Sequence, residues 1–200
     1  WKPKLGGNRK MNVIRYGRKE PERLSASDLA GEKIPEFYAR HMELIHAFYV
    51  DVLNIPEEKF RFLEKGGDEK AFYNKVHMDI EVDVESWGGF REVAGLHYRG
   101  DYDLSSHTKG SGQDLSVRIG ERQVMPSVLE LSFGVDRNVW MLVDLLYRKD
   151  GEKSMLMLPE YLAPYQIAVF PLQKDEAIDR KVEEICGSLK GRFKVVSDRA

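Results

Sequence analysis

The sequence predicts an α+β fold, in which an antiparallel sheet with flanking helices is followed by the start of a separate α/β unit. Apolar and polar residues alternate strictly over residues 76–84, as in a half-buried antiparallel strand. A second alternating segment, residues 126–132, changes at Phe133-Gly134 to helical spacing. Residues 165–196 then follow a strand–helix–strand order, which is typical of an α/β unit. We therefore place one domain at residues 1–157 and the incomplete start of another at 158–200.

The composition predicts a soluble cytoplasmic protein. The chain has 200 residues, 42% of them hydrophobic, which is enough to bury a core. It contains no apolar run long enough for a membrane span and no apolar stretch of a signal peptide at its start. A formal net charge of −2 excludes a uniformly basic nucleic-acid binder. A single cysteine, Cys186, excludes an internal disulfide, and we expect its thiol to be buried on a helix. The sequence predicts no structural zinc site.

Residues 1–32 show no sustained period and are expected to be loop or short irregular pieces. This segment carries a cluster of basic residues that either form a solvated loop or contact RNA phosphates. The cluster consists of Arg9, Lys10, Arg15, Arg18, Lys19 and Arg23. From Lys33 to Leu53 the apolar residues recur at helical spacing and predict a packed amphipathic helix. His41 and His46 within it are five residues apart, a poor spacing for joint metal binding, so we expect core or surface histidines.

The alternating strand 76–84 carries an acidic row opposite its apolar face, which is either solvated or the border of a cation-dependent site. A turn at residues 87–89 leads into a return strand, residues 90–99. Glu92 and Arg99 on this strand are seven residues apart, and therefore on opposite faces unless a bulge near Gly95 brings them together. The polar, glycine-bearing segment 101–112 is expected to be a loop. Its His107 and neighbouring serines lack the sequence context of a hydrolase nucleophile.

The segment 127–137 holds the strongest chemical signal. The two-residue period of its strand puts Glu130 and Ser132 on the same face, where a carboxylate and a hydroxyl suit a small ammonium group. Arg137 falls in the first turn of the following helix, a position where a cation is unfavourable by a few tenths of a kcal/mol. A bound polyphosphate would explain this arginine, and a surface pair with Asp136 is the alternative.

The rest of the chain is expected to form a charged loop at residues 149–153 and a linker at 158–164. A strand at 165–172, a helix at 175–189 and a strand at 193–196 follow.

Three ordered segments resemble the class II aminoacyl-tRNA synthetases in their glycyl form. Motif 3 of that family, close to E-P-S-x-G-x-x-R, is similar to PSVLELSFGVDR at residues 126–137. A family strand and loop, E-x-x-G-x-x-x-R followed by D-Y-D-L-x-x-H, is similar to FREVAGLHYRGDYDLSSH at residues 90–107. The junction into the family's anticodon-binding domain is similar to LPEYLAPYQIAVFPL. The resemblance covers residue 33 to the end of the chain.

The resemblance implies part of a class II catalytic core, followed by the start of an anticodon-binding domain, in a glycine–tRNA ligase. Glu130 and Ser132 would hold the amino group of glycine, and Arg99 would line the pocket close to it. Arg137 would bind the phosphates of ATP, and Glu92 would lie at the ATP and Mg²⁺ site. The implied partners are glycine, tRNA(Gly) and, for the full-length protein, a second copy in a homodimer.

The sequence departs from the family pattern in several places. Leu131 stands where the motif has proline. Motif 1, a main dimer element, and motif 2, which supplies an arginine for ATP and an acidic residue near the glycine, are not found. The chain also lacks a starting methionine and stops just after a predicted strand, so we expect a piece of a longer protein that is inactive alone. The alternative is a non-catalytic, nucleic-acid-binding relative of the synthetases, such as a DNA polymerase accessory subunit.

Overall fold

The computed structural model describes Gly6 and residues 8–31 and 33–198. The chain divides into two compact units, residues 1–147 and 148–200, whereas the sequence placed the division at 157/158. The strands are β1 (Met11–Ile14), β2 (Glu22–Leu24), β3 (Phe60–Glu64), β4 (Val76–Val84), β5 (Gly89–Gly100), β6 (Val117–Ile119), β7 (Arg122–Val124), β8 (Val128–Phe133), β9 (Tyr147–Asp150), β10 (Lys153–Leu156), β11 (Ile167–Val169) and β12 (Val195–Ser197). The α-helices are α1 (Ala26–Leu29), α2 (Glu36–Ala47), α3 (Tyr102–Ser111), α4 (Val135–Leu146) and α5 (Glu176–Leu189).

A six-stranded sheet in the order β2-β1-β3-β4-β5-β8 forms the centre of the first unit. Its pairings are antiparallel except β1 with β3, which run parallel, so the predicted antiparallel-dominated α+β fold is confirmed. Apolar residues from one face of the sheet and from α2 share a single buried cluster, which includes Tyr38, Met42, Met78, Ile80 and Leu96. The alternation of the strands leaves the opposite face to polar side chains.

The predicted helix and hairpin are confirmed. The helix expected from Lys33 to Leu53 forms as α2 and continues as one π-helical turn, Phe48–Val52. β4 and β5 form the predicted hairpin, and Gly88 and Gly89 take φ angles of 73° and 119° in its turn, a conformation that favours glycine. The predicted change from strand to helix after Phe133 is also present, as β8 and α4.

The prediction of loop or irregular pieces over the first 32 residues is wrong for much of the described part. β1 lies inside the sheet with Met11 and Val13 fully buried. The short helix α1 begins at a capping box in which Ser25 and Asp28 exchange hydrogen bonds. Strands and helices of three or four residues are too short to show a period, which is why the sequence pattern did not reveal them.

The loop predicted over residues 101–112 is a helix, α3, which ends at Gly112 with a φ of 71°. A left-handed glycine at this position is a common helix end. α3 contains no buried residue, so no apolar stripe marks it in the sequence.

In the second unit, the predicted charged loop at 149–153 is instead the turn of a hairpin. β9 and β10 form this two-stranded sheet, and Gly151 has a φ of 57° in the turn. The Asp150-Gly151 pair is a common hairpin signal that could have revealed it. The strand–helix–strand prediction is confirmed, since β11 and β12 pair in parallel on either side of α5 in sequence. Cys186 of α5 is buried, as expected.

Candidate active site on the polar face of the sheet

A β-bulge in β5 decides which side chains share the polar face. Ile80 of β4 lies opposite Ala94, but Glu81 lies opposite Glu92, so Val93 is an extra residue in β5. One extra residue reverses the alternation, because the side-chain period of a strand is two. Glu92 therefore lies on the same face as Gly95 and Arg99. The bulge expected near Gly95 is therefore present and puts Glu92 and Arg99 on one face, but it does not bring them together, since Glu92 pairs with Arg137 and Arg99 with Glu130.

Glu130 and Ser132 occupy the middle of this face, and the prediction that they point the same way is confirmed. In the β5–β8 pairing, Glu130 is opposite His97 and Ser132 is opposite Gly95. A Cβ atom on Gly95 would lie 2.6 Å from Nε2 of His97 and 3.4 Å from Oγ of Ser132. The missing side chain of Gly95 thus leaves room for the imidazole of His97 on this face.

Arg99 forms an ion pair with Glu130, and its Nη1 lies 3.4 Å from Oδ1 of Asp103 in α3. The guanidinium also lies 4.6 Å from the ring centroid of Tyr73. The Glu130 side chain keeps about a third of its surface exposed, at 36%. A small ammonium group reaching Glu130 would therefore meet an accessible carboxylate whose charge is already shared with Arg99.

Arg137 lies in the first turn of α4, as predicted, and pairs with Glu92. Its Nη1 donates a hydrogen bond of 3.1 Å to the Glu92 carbonyl oxygen and lies 3.5 Å from Oε2. The alternative pair with Asp136 does not form among the described residues. Glu92 and Arg137, with Trp87 and Arg91, line an open cavity of about 520 Å³. Two arginines beside a helix N-terminus give this cavity the charge that suits a polyphosphate.

Asn138 attaches the start of α4 to the bulge, a role that the sequence did not reveal. Its amide Nδ2 donates to the carbonyl oxygens of Val93 and Gly134, both at 2.9 Å. Its Oδ1 accepts a 2.7 Å hydrogen bond from the hydroxyl of Tyr49, and burial raises the pKa of that hydroxyl so that it remains a donor. The bulge that turns Glu92 onto the polar face therefore also positions the helix that carries Arg137.

The acidic row of β4 is not a solvated face. Asp79 and Glu81 are both buried, and Glu81 accepts a 2.7 Å hydrogen bond from Arg61. Asp79 lies 2.9 Å from Nε2 of His77 and 3.5 Å from Lys65. Burial raises the pKa of Asp79, but the hydrogen bond and charge of His77 and the charge of Lys65 outweigh it, so the pKa lies below its usual value.

His97 stacks close to His77, with ring centroids 4.2 Å apart. Burial lowers the pKa of His97, and the charge of His77 lowers it further, which favours a neutral imidazole beside Glu130. Within residues 8–31 and 33–198, no group of three or more His, Cys, Asp or Glu side chains is placed to hold a metal ion. His46 is a buried core residue and His41 is partly exposed, in line with the expectation of core or surface histidines.

The basic residues near the start of the chain are mostly neutralised by carboxylates. Ion pairs join Arg9 to Asp51, Lys10 to Asp28, Arg15 to Glu64 and Arg23 to Glu57, at 2.5 to 3.0 Å. Arg18 and Lys19 are exposed. The cluster is thus largely part of the folded unit rather than a free basic loop.

Comparison with known proteins finds several glycine–tRNA ligases among the relatives of this chain. No protein-family model matches the chain. The chain is 33% identical to a glycine–tRNA ligase of Borrelia hermsii, over 69% of this chain and 33% of that protein. It is 31% identical to a glycine–tRNA ligase of Borreliella burgdorferi, over 84% of this chain and 39% of that protein. A glycine–tRNA ligase of Aeropyrum pernix is 28% identical, over 70% of this chain and 37% of that protein. The chain thus spans about a third of the length of the relatives that it matches. None of the helices in the described residues is long and apolar enough to cross a membrane.

Proposed function

We propose that this chain, which belongs to the glycyl-tRNA synthetase family, contributes the glycine and phosphate contacts of a glycine–tRNA ligase. Such an enzyme activates glycine with ATP and transfers it to tRNA(Gly). One observation supports this most: the Glu130–Ser132 pair and the Glu92–Arg137 pair share one polar face of the sheet.

Glu130 and Ser132 hold the amino group of glycine. The carboxylate attracts the ammonium by its charge, and the hydroxyl oxygen accepts a directed N–H hydrogen bond. Arg99, paired with Glu130, lines the pocket beside them and fixes the orientation of the carboxylate.

Arg137 and the first amides of α4 bind the phosphates of ATP. The glycine carboxylate oxygen attacks the α-phosphorus in line, the bond to the β-phosphate oxygen breaks, and glycyl-adenylate and pyrophosphate form. Positioning and charge neutralisation serve this reaction, so no protein nucleophile is needed. Glu92 fits a Mg²⁺ ligand, because its carboxylate is about half exposed beside the phosphate cavity and Mg²⁺ binds one or two carboxylates together with phosphates. Bound there, the ion would neutralise phosphate charge.

The remaining parts of the reaction depend on segments that this sequence does not contain. Motif 2 supplies a further ATP arginine in the family, and motif 1 supplies dimer contacts. We therefore expect the 200 residues to be inactive alone and the working enzyme to be a homodimer. A non-catalytic nucleic-acid-binding role is not favoured, since the relatives carry the name of a ligase.

Replacement of Arg137 tests the phosphate role. In the protein that carries this sequence, we expect Arg137→Ala to lower glycine-dependent exchange of pyrophosphate into ATP by about a hundredfold or more, because a preorganised charge at the transferred phosphate is lost. Arg122→Ala, an exposed arginine of β7, is the matched control and should leave exchange unchanged. Undiminished exchange in Arg137→Ala would remove this residue from the site.

A further inference from the structure

Two histidines of neighbouring strands stack on the polar face next to the proposed glycine site. His77 of β4 is directly opposite His97 of β5, and their ring centroids are 4.2 Å apart. In the pairing with β8, His97 is opposite Glu130. Because residues opposite each other in a sheet point to the same face, the Glu130 carboxylate and this histidine pair, His77 and His97, form one row across three strands.

Neighbouring side chains hold the histidine pair in place. Nδ1 of His97 lies 3.2 Å from Nδ2 of Asn74, a residue that is only 5% exposed. Oδ1 of Asp79 lies 2.9 Å from Nε2 of His77, and the other oxygen of the same carboxylate lies 3.5 Å from Nζ of Lys65. The two rings are therefore fixed parts of the polar face.

The histidine pair can take up one additional proton. Nδ1 of His77 has no hydrogen-bond partner among the described residues, so a proton there would break no existing bond. Oδ1 of Asn74 also lacks a partner in that part of the chain. A flip of the Asn74 amide would present this oxygen to a protonated Nδ1 of His97. Since two imidazolium ions at this separation would repel each other, we expect the pair to bind a single proton as one unit.

Charged groups of both signs surround the histidine pair. The carboxylates favour its protonated form, whereas the cations and burial favour its neutral form. These groups are Glu130 of β8, Asp79 of β4, Arg99 of β5, Lys65 just after β3 and, behind Arg99, Asp103 of α3. Burial has the largest effect on His97 and lowers its pKa below the ordinary value, so this imidazole is neutral at pH 7.5.

We propose that the histidine pair positions the Glu130 carboxylate for the glycine ammonium, and that a proton bound by the pair competes with glycine for this carboxylate. When the pair is neutral, Glu130 shares its charge with Arg99 and keeps part of it for the ammonium. A protonated pair adds a positive charge beside Glu130, which attracts the carboxylate and repels the ammonium. This inference rests on the proposed function and adds His77 and His97 to it as positioning residues.

The pH dependence of glycine-dependent pyrophosphate exchange tests the proposal. In the protein that carries this sequence, KM for glycine should rise about threefold or more between pH 7.5 and pH 5.5. The value of kcat should stay unchanged, because saturating glycine displaces the proton. His77→Gln/His97→Gln has no titratable group at either position and should show the same KM for glycine at both pH values. His41→Gln, changed at a histidine of α2, should keep the rise.

Binding of an inert glycyl-adenylate analogue gives a second measurement that needs neither a variant nor catalysis. The probe, 5′-O-(glycylsulfamoyl)adenosine, carries the same ammonium group as glycine. Because the proton and the ammonium exclude each other, binding of the probe to the unsubstituted protein should release protons at pH 5.5 and not at pH 7.5. Calorimetry in two buffers of different ionisation enthalpy measures this release.

Two results would overturn the proposal. One is a KM for glycine that changes with pH equally in the double glutamine variant and in the unsubstituted protein. The other is binding of the probe at pH 5.5 without release of protons. An unsubstituted protein that shows no glycine-dependent exchange at pH 7.5 and does not bind the probe would contradict the proposed function itself, so the two failures are distinguishable.

Discussion

His46 is a titratable side chain held in the core of the first unit. Its side chain is 1% exposed, and its ring packs edge-on against Phe60 with centroids 5.3 Å apart. Burial lowers its pKa to about 4, with a further contribution from the charge of Arg9. Glu57, 3.5 Å away, opposes this shift but does not outweigh burial. The imidazole is therefore neutral in the folded protein at neutral pH.

Stability should fall as the pH drops from 6.5 towards 4, because the unfolded chain then binds a proton that the folded chain excludes. Between about pH 7 and about pH 5, His46 should account for a loss of about 2 kcal/mol in the free energy of unfolding. The His46→Gln variant should lack this loss of stability. The His41→Gln variant, changed at a half-exposed position of the same helix, should still show it. Urea denaturation at the two pH values measures both. An identical pH dependence in His46→Gln and the unsubstituted protein would refute the buried neutral state.

At the scale of elements, β5 connects the parts of the site. The extra residue Val93 turns Glu92 onto the polar face, and its carbonyl oxygen accepts hydrogen bonds from the Gly134 amide and from Asn138. Gly95 lies two residues further on, in close contact with His97. A change in β5 should therefore act on the proposed glycine site through His97.

Gly95→Ala should reduce glycine-dependent exchange by about tenfold or more, since its methyl group would meet His97 at 2.6 Å and displace the imidazole towards Glu130. The second substitution His97→Ala makes room for the methyl group, so Gly95→Ala/His97→Ala should match the exchange rate of His97→Ala alone. Gly110→Ala is the control, because nothing lies within 4 Å of its Cβ position. If the fold-loss of exchange in the double variant equalled the product of the fold-losses in the two single variants, contact with His97 would not be the cause.

Elements with a clear period could be predicted from the sequence, and those without one could not. β4 and α4 alternate between an apolar and a polar face over nine and twelve residues, and both were predicted. β1, with four residues, and α3, with no buried residue, carry too little pattern.

The candidate site, too, could be predicted from the sequence only in part. The same-face relation of Glu130 and Ser132 follows from local alternation alone. The pairs Arg99–Glu130 and Arg137–Glu92 depend on the register between strands and on a bulge, which are set by tertiary packing.

At the scale of the whole molecule, one polar face holds a carboxylate and a hydroxyl between two pockets. The Glu92–Arg137 cavity lies at one end, a pocket lined by Tyr73, Arg99 and Tyr102 lies at the other, and Glu130 and Ser132 lie between them. The family assignment rests on similarity over most of this chain, and this chain spans about a third of its relatives.

Glycine dependence of pyrophosphate exchange in a Glu130→Gln variant tests the central claim most directly. The protein that carries this sequence should lose about a hundredfold or more in kcat/KM for glycine, because the amide cannot neutralise the ammonium charge, while its KM for ATP should stay unchanged. Glu121→Gln, at an exposed position of the β6–β7 turn, should behave as the unsubstituted protein. An unaltered kcat/KM for glycine in Glu130→Gln would contradict the account.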